Sequence, residues 1–310
     1  MRCIRRQRHP KRQPSMPSKA LHRAVSILST VLLTSLFGVA ETPATAATCA
    51  SLAGLALPNT TITAAEPVAA GTYTAPDGEV FQNLPAFCRI AATLTPTTDS
   101  KIKIEVWMPY SGWNGRYLGT GNGGIAGVIR YVTLAHFLPF NYAVANTDQG
   151  TSPAAIDPLG GLVLTGHPEK QIDYYTRSTN LMTVRSKQII EAFYGERPRY
   201  SYFFGCSSGG GHGLHEALQF PGDYDGIAAG APQMNNTHHA ASNIWDYQAF
   251  NGPANITAAQ ATAITAAVVK QCAGKDGGLS SDNFLTDPRD CHWDPAEVQC
   301  TGGQPMRPPA

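Results

Sequence analysis

Charge is scarce in this 310-residue chain: 15% of its residues are Asp, Glu, Lys or Arg, against 43% apolar. The first 40 residues hold no acidic side chain, and no Cys-x-x-Cys pair occurs anywhere. No internal repeat or long low-complexity block is present. The apolar content argues against a disordered chain. The missing pair argues against zinc-ribbon or thioredoxin-like chemistry. The apolar run "AVSILSTVLLTSLFGVA", Ala24 to Ala40, is slightly short for a membrane span.

That run lies between eight basic residues in positions 1–23 and the small-residue stretch "ETPATAATCA". This is the layout of a signal peptide, expected to cover residues 1–46. Cleavage after Ala46 fits Ala44-Thr45-Ala46, with Ala40 as the alternative; Met16 is an alternative start. Removal leaves 15 basic and 21 acidic residues, a charge of about −6. That balance argues against nucleic-acid partners and against membrane association after cleavage. The expected location is secreted or periplasmic. The remaining cysteines are Cys49, Cys88, Cys206, Cys272, Cys291 and Cys300, presumed disulfide partners in an oxidising compartment.

Strand-like and helix-like segments then alternate. "FCRIAATL" and "KIKIEVWMP" read as strands, the second half-buried by its alternation. "RYLGT", "NYAVAN", "RYSYFFG" and "YDGIAAGAP" read as further strands, the last two central. "QIDYYTRSTNLMTVRSKQIIEAFYG" has helical spacing and stops at Gly195. The order predicts an α/β fold with a mostly parallel sheet, its core in residues 47–234. From Asn235 the chain turns polar and Ala/Asn-rich, so 235–310 is expected to be an insertion.

Gly205-Cys206-Ser207-Ser208-Gly209 fits G-x-S-x-G between an aromatic strand and a helix. That context points to a nucleophile elbow, with Ser207 as nucleophile and the Ser208 N–H in the oxyanion hole. The loop "GTGNGGIAG" is expected to supply a second N–H, from Gly124 ahead of Gly123. A plain glycine-rich turn is the competing reading of both stretches. His212 and His215 read as surface or packing residues.

The stretches "WNGRYLGTGNGGIAG", "GHPEKQIDYYTRSTNLMTVRSKQIIEAFYGERPRYSYFFGCSSGG" and "FPGDYDGIAAGAP" resemble the tannase/feruloyl esterase family of secreted α/β-hydrolases. The resemblance implies an α/β-hydrolase fold, with 235–310 the beginning of a lid. It also implies a serine carboxylesterase hydrolysing esters of hydroxybenzoic or hydroxycinnamic acids, with a small aromatic ester as its partner. Hydrolases of terephthalate monoesters are similar too. Where the family has Arg-Gln after the elbow glycines, this chain has Gly211-His212. The family's catalytic Asp and His follow the lid, the His directly before a Cys; no His-Cys dipeptide follows Ser207 here. The expectation is a chain that stops inside the lid, with its later strands missing, inactive or a weak aromatic-ligand binder. His292 with Asp290 or Asp294 is a poor local substitute, for want of sheet strands to hold it.

Among the cysteines, Cys49–Cys88 can close the N-terminal region and Cys272–Cys291 the loop between them. Cys206 and Cys300 are then left over, or paired with each other. The resemblance also implies a structural calcium in the lid. Asp276 and Asp282 match best as carboxylate ligands, and Gly278 and Phe284 as carbonyl donors. The family's Asp after the first Cys is Ala273 here, and the loop is two residues longer.

Overall fold

The computed structural model describes residues 47–125, 127–152, 161–251 and 256–298, all within one compact unit. Residues 1–46, the expected signal peptide, and Cys300 lie outside them. Nine strands are described: β1 (Thr60–Val68), β2 (Gly71–Thr74), β3 (Val80–Leu84), β4 (Phe87–Leu94), β5 (Ile102–Pro109), β6 (Arg116–Thr120), β7 (Ala143–Thr147), β8 (Tyr200–Cys206) and β9 (Gly226–Gly230). The helices are α1 (Tyr131–Phe137), α2 (Pro168–Ile172), α3 (Ser178–Tyr194), α4 (Ser208–Gln219), α5 (Asn236–Phe250) and α6 (Ala258–Cys272). A π-helical turn, Asp173–Arg177, joins α2 to α3.

Seven strands form one sheet in the order β1-β4-β5-β7-β6-β8-β9, while β2 and β3 pair as a separate hairpin. The half from β7 to β9 is parallel, and it carries the glycine loop and the serine. The half from β1 to β5 is antiparallel and joins β7 antiparallel. Helices cover both faces, as an α/β-hydrolase sheet requires. Period-two alternation divides each central strand between two cores. Val106, Tyr117, Ala143 and Ala145 face the cluster built with Met182, Ile189 and Ile190 of α3. Trp107, Leu118 and Val144 face the cluster built with Tyr131 and Leu134 of α1. Gly195 ends α3 in the left-handed region, φ 76°.

One expectation is corrected and one strand went unread. β5 is not half-buried: every residue but Lys103 is buried. Its Glu105 is tolerated because Arg89 pairs with it, and Tyr131 Oη and Trp107 Nε1 donate to it at 3.2 and 3.3 Å. β1 was not legible at all, its Ala/Thr-rich outer surface and Pro67 being typical of an edge. Among the described residues β9 pairs only with β8. Beyond it, α5 buries no residue and α6 only Cys272.

Candidate active site

β8 delivers Cys206, α4 starts at Ser208, and Ser207 stands between them at φ 58°, ψ −121°. A non-glycine residue holds such a conformation only when its surroundings over-determine it. Here three backbone hydrogen bonds do so. The Ser207 N–H donates to the Gly230 carbonyl at 3.0 Å, and its own carbonyl accepts from Gly211 and Gln233 at 3.0 and 2.9 Å. The result is an exposed side chain above the C-terminal end of a parallel strand.

The bracketing glycines are required by contact. A Cβ on Gly205 would strike the Gly209 carbonyl oxygen, and one on Gly209 would lie 2.8 Å from the Asn122 oxygen. The Gly209 N–H donates to Asn122 O at 2.6 Å. The glycine loop is thereby seated against the start of α4.

Ser208 is the first residue of α4, where backbone N–H groups lack intrahelical partners. Its N–H has no acceptor among the described residues, and neither do those of Gly123 and Gly124. The positive end of α4 adds to their attraction for a developing negative charge. Gly124, at φ 59°, presents its carbonyl to the Tyr174 hydroxyl at 2.8 Å. Behind the loop, Asn122 Nδ2 donates to the Val128 and Thr147 carbonyls at 2.8 and 2.6 Å. Its oxygen accepts from Asn146 Nδ2 at 3.0 Å. Tyr174, Asn122 and Asn146 are supports that sequence reasoning missed. The asparagines in "TGNGG" and "VANTD", each at the end of a strand, were the available signal.

Ser207 Oγ makes no hydrogen bond to any described histidine. His292 stands beside the Cys272–Cys291 disulfide, where its carbonyl accepts from Gln271 Nε2 at 3.2 Å. No hydrogen bond joins it to Asp290 or Asp294. Of the two alternatives for His212, surface or packing, the interior one holds: it is 6% exposed and lines a cavity of about 190 Å³ next to Ser208. A larger cavity of about 610 Å³, between Asp77, Lys103 and Arg130, includes no elbow residue.

The sulfurs pair as Cys49–Cys88 and Cys272–Cys291, and Cys206 is an exposed thiol. In the loop after Cys272, Asp276 is buried and its carboxylate accepts from the Gly278 and Thr286 N–H groups at 3.2 and 2.5 Å. Burial works against ionisation there, but these backbone donors hold the carboxyl below its ordinary range. Asp282 Oδ2 accepts from the Leu279 N–H at 2.9 Å. Phe284 has an exposed ring, so only its carbonyl could serve as a ligand.

An uncharacterised esterase of Xanthomonas campestris pv. campestris is 42% identical over 265 residues, which are 85% of this chain and 45% of that protein. The probable feruloyl esterase B-2 of Aspergillus flavus is 35% identical over 69% of this chain and 40% of its own length. Among solved structures, feruloyl esterase B from Aspergillus oryzae superposes with a TM-score of 0.72 at 29% identity, covering 83% of this chain and 51% of that one. The chain thus spans about half the length of the relatives it matches. The family described as tannase and feruloyl esterase matches residues 88–307, and the chain belongs to that family.

Proposed function

We propose that this chain carries the nucleophile and oxyanion hole of an exported serine carboxylesterase for esters of aromatic hydroxy acids. The observation that carries the proposal is the elbow: Ser207 held at positive φ between a parallel strand and a helix, with the Ser208 N–H free beside it. Ser207 Oγ attacks the ester carbonyl carbon, and the Ser208 and Gly124 N–H groups hold the oxyanion. Collapse expels the alcohol and leaves an acyl-serine, which water hydrolyses. A base must take the serine proton and return it to the alcohol. With none bonded to Ser207, turnover of methyl gallate or p-nitrophenyl acetate by the 310-residue chain should be low. An oxyanion hole alone retains ~10³–10⁴-fold over water. The relatives' names support the substrate class, and the disulfides agree with export.

The test is covalent. A fluorophosphonate ester should label the folded chain at one site, mapped by mass spectrometry to Ser207, and Ser207→Ala should abolish labelling. Labelling should be slow, because no described base draws the serine proton; labelling elsewhere, undiminished in Ser207→Ala, would remove the esterase reading. What would remain is a protein that at most binds aromatic ligands.

Calcium is proposed for the loop of Asp276, Gly278, Asp282 and Phe284. The donor set fits a hard cation, since it offers only oxygens. A cradle supports it too: a Cβ on Gly278 would lie 3.3 Å from Asp276 Oδ1 and 3.1 Å from Asp282 Oδ2, and would strike Thr286 Oγ1. No cluster of three or more His, Cys, Asp or Glu side chains forms among the described residues. The Gly278 and Phe284 carbonyls and water would therefore complete the shell. Bound calcium would tie the loop between Cys272 and Cys291, and it takes no part in ester cleavage. Calcium should raise the melting temperature of the chain and not that of Asp276→Ala; an equal response in both would remove the site.

A further inference from the structure

The cleft of about 610 Å³ that no elbow residue lines is open to solvent, and its size falls among small-molecule pockets. Lys103 enters it from β5, which stands three places from β8 in the sheet order. At ~4.8 Å per strand that is ~14 Å to the side of the serine strand. The cleft is a place of its own. Its charges are sorted by element. Lys103 on β5 and Arg130 just before α1 supply the cations, and Asp77 and Glu79 on the turn between β2 and β3 the anions. No ion pair joins the two sets, and neither the Arg130 guanidinium nor the Glu79 carboxylate has a hydrogen-bond partner. Asp77 Oδ1 accepts from the Glu79 N–H at 3.0 Å, which leaves its second oxygen free.

A fifth charged residue, Asp148, is buried and already satisfied. Its Oδ1 accepts from the Lys103 and Gly150 N–H groups at 2.7 and 2.9 Å, and its Oδ2 from the Ser152 hydroxyl at 2.6 Å. Burial raises its carboxyl, and these donors and the Lys103 charge oppose that. Arg130 is thus the cation with no acid beside it. Much of the remaining wall is apolar: Ile129, with Val128 and Val132, which are 40% and 45% exposed. A ligand that uses the whole lining carries an anion, a hydrogen-bond donor and a flat apolar body. A guanidinium takes a carboxylate bidentately. A carboxylate such as Glu79 accepts from a hydroxyl. The exposed valines gain by covering an arene face. Cleavage of an ester of an aromatic hydroxy acid releases such a molecule. The ester group is uncharged, and only the released acid carries the carboxylate.

Resting on the esterase reading above, we propose that this cleft is a second binding site, selective for the free aromatic hydroxy acid over its ester. Arg130, with Lys103, holds the carboxylate, and Glu79 accepts the phenolic hydroxyl. The site takes up product away from Ser207, and none of its residues acts on the reacting bond.

The experiment uses the whole chain carrying Ser207→Ala, so that no ligand is cleaved. 4-Hydroxycinnamate, its methyl ester and cinnamate are titrated calorimetrically at neutral pH. The hydroxy acid should bind at least tenfold more tightly than its ester, a factor worth ~1.4 kcal/mol. The gap should narrow as salt screens the exposed cations. Arg130→Gln with Lys103→Gln should bring the acid down to the affinity of the ester. Glu79→Ala should bring 4-hydroxycinnamate down to the level of cinnamate. All three side chains are exposed, so these variants should keep the melting temperature of the parent. In chain carrying ¹⁵N-arginine, the Arg130 Nε resonance should move with the acid and stay in place with the ester. Equal affinity for acid and ester, a preference that survives the double substitution, or an unmoved Arg130 resonance at saturation overturns the proposal. Fluorophosphonate labelling of the chain with Ser207 intact separates the two readings. Labelling of Ser207 without an acid preference removes the cleft site alone. An acid preference together with labelling that Ser207→Ala does not diminish removes the esterase reading and leaves the cleft as a carboxylate site.

Discussion

The Tyr174 hydroxyl donates a 2.8 Å hydrogen bond to the Gly124 carbonyl, fifty residues earlier in the chain. A π-helical turn, a rare and often functional irregularity, thereby holds the loop proposed to supply the second oxyanion N–H. Tyr174→Phe removes that bond and little else. Fluorophosphonate labelling of Ser207 should slow about tenfold with unchanged saturation, and stability should fall by about 1 kcal/mol. An unchanged labelling rate would show that Gly124 is not the second donor.

The backbone at Ser207 is strained, and strain of this kind costs of order 1–3 kcal/mol. Glycine adopts positive φ freely. Ser207→Gly and Ser207→Ala should both be inert to the fluorophosphonate, with the glycine variant melting higher than the alanine variant. Equal melting temperatures would show that the elbow carries no strain.

Stability should depend on the buried Glu216. Burial, with the Asp223 carboxylate nearby, pushes its carboxyl up to about 8; Lys187 opposes this, and Tyr117 and Tyr224 lie close by. Unfolded, the group ionises near ~4.3, so between the two values the folded state binds the extra proton and stability falls as pH rises. His212, at about 4 in the fold and ~6.5 unfolded, acts in the opposite sense up to about pH 6.5. The uncompensated decline therefore lies between about pH 6.5 and 8. Urea denaturation across that window should show it in the wild type and a flatter profile in Glu216→Gln. Equal slopes would refute the assignment.

Alkylation of the folded, unreduced chain should modify Cys206 and spare Cys49, Cys88, Cys272 and Cys291. Replacing Cys49 and Cys88 by serine opens a link spanning 39 residues. The expected loss is ~2–4 kcal/mol, read from the shift in urea midpoint. A smaller shift than that of the Cys272–Cys291 double variant would show that the N-terminal link matters less than the other.

The parallel half of the sheet was legible because its strands are apolar on both faces and end in glycine-rich turns. β1 was not, since an edge strand with one wet side lacks that signature. Glu105 was misread because its partner Arg89 sits one strand away, and no local pattern announces a pairing across a sheet. Ser207, Ser208 and Gly124 were readable from one motif and one loop. Tyr174 and the Asn122–Asn146 pair were not, because their roles depend on which loops the topology brings together. His212 was left between surface and packing because helical spacing does not say how closely α4 lies on β8.

The contact between Gly121 and Gly209 has a consequence for protein engineering. A Cβ at Gly121 would lie 2.6 Å from the Gly209 Cα, so loop and helix meet backbone to backbone. Segments 119–124 and 205–211 therefore form one inseparable part, although about eighty residues of chain lie between them. A library that diversifies either segment alone samples mostly collapsed sites. A transplant into another α/β scaffold has to move both together, along with the β9 residue Gly230 that fixes the Ser207 amide.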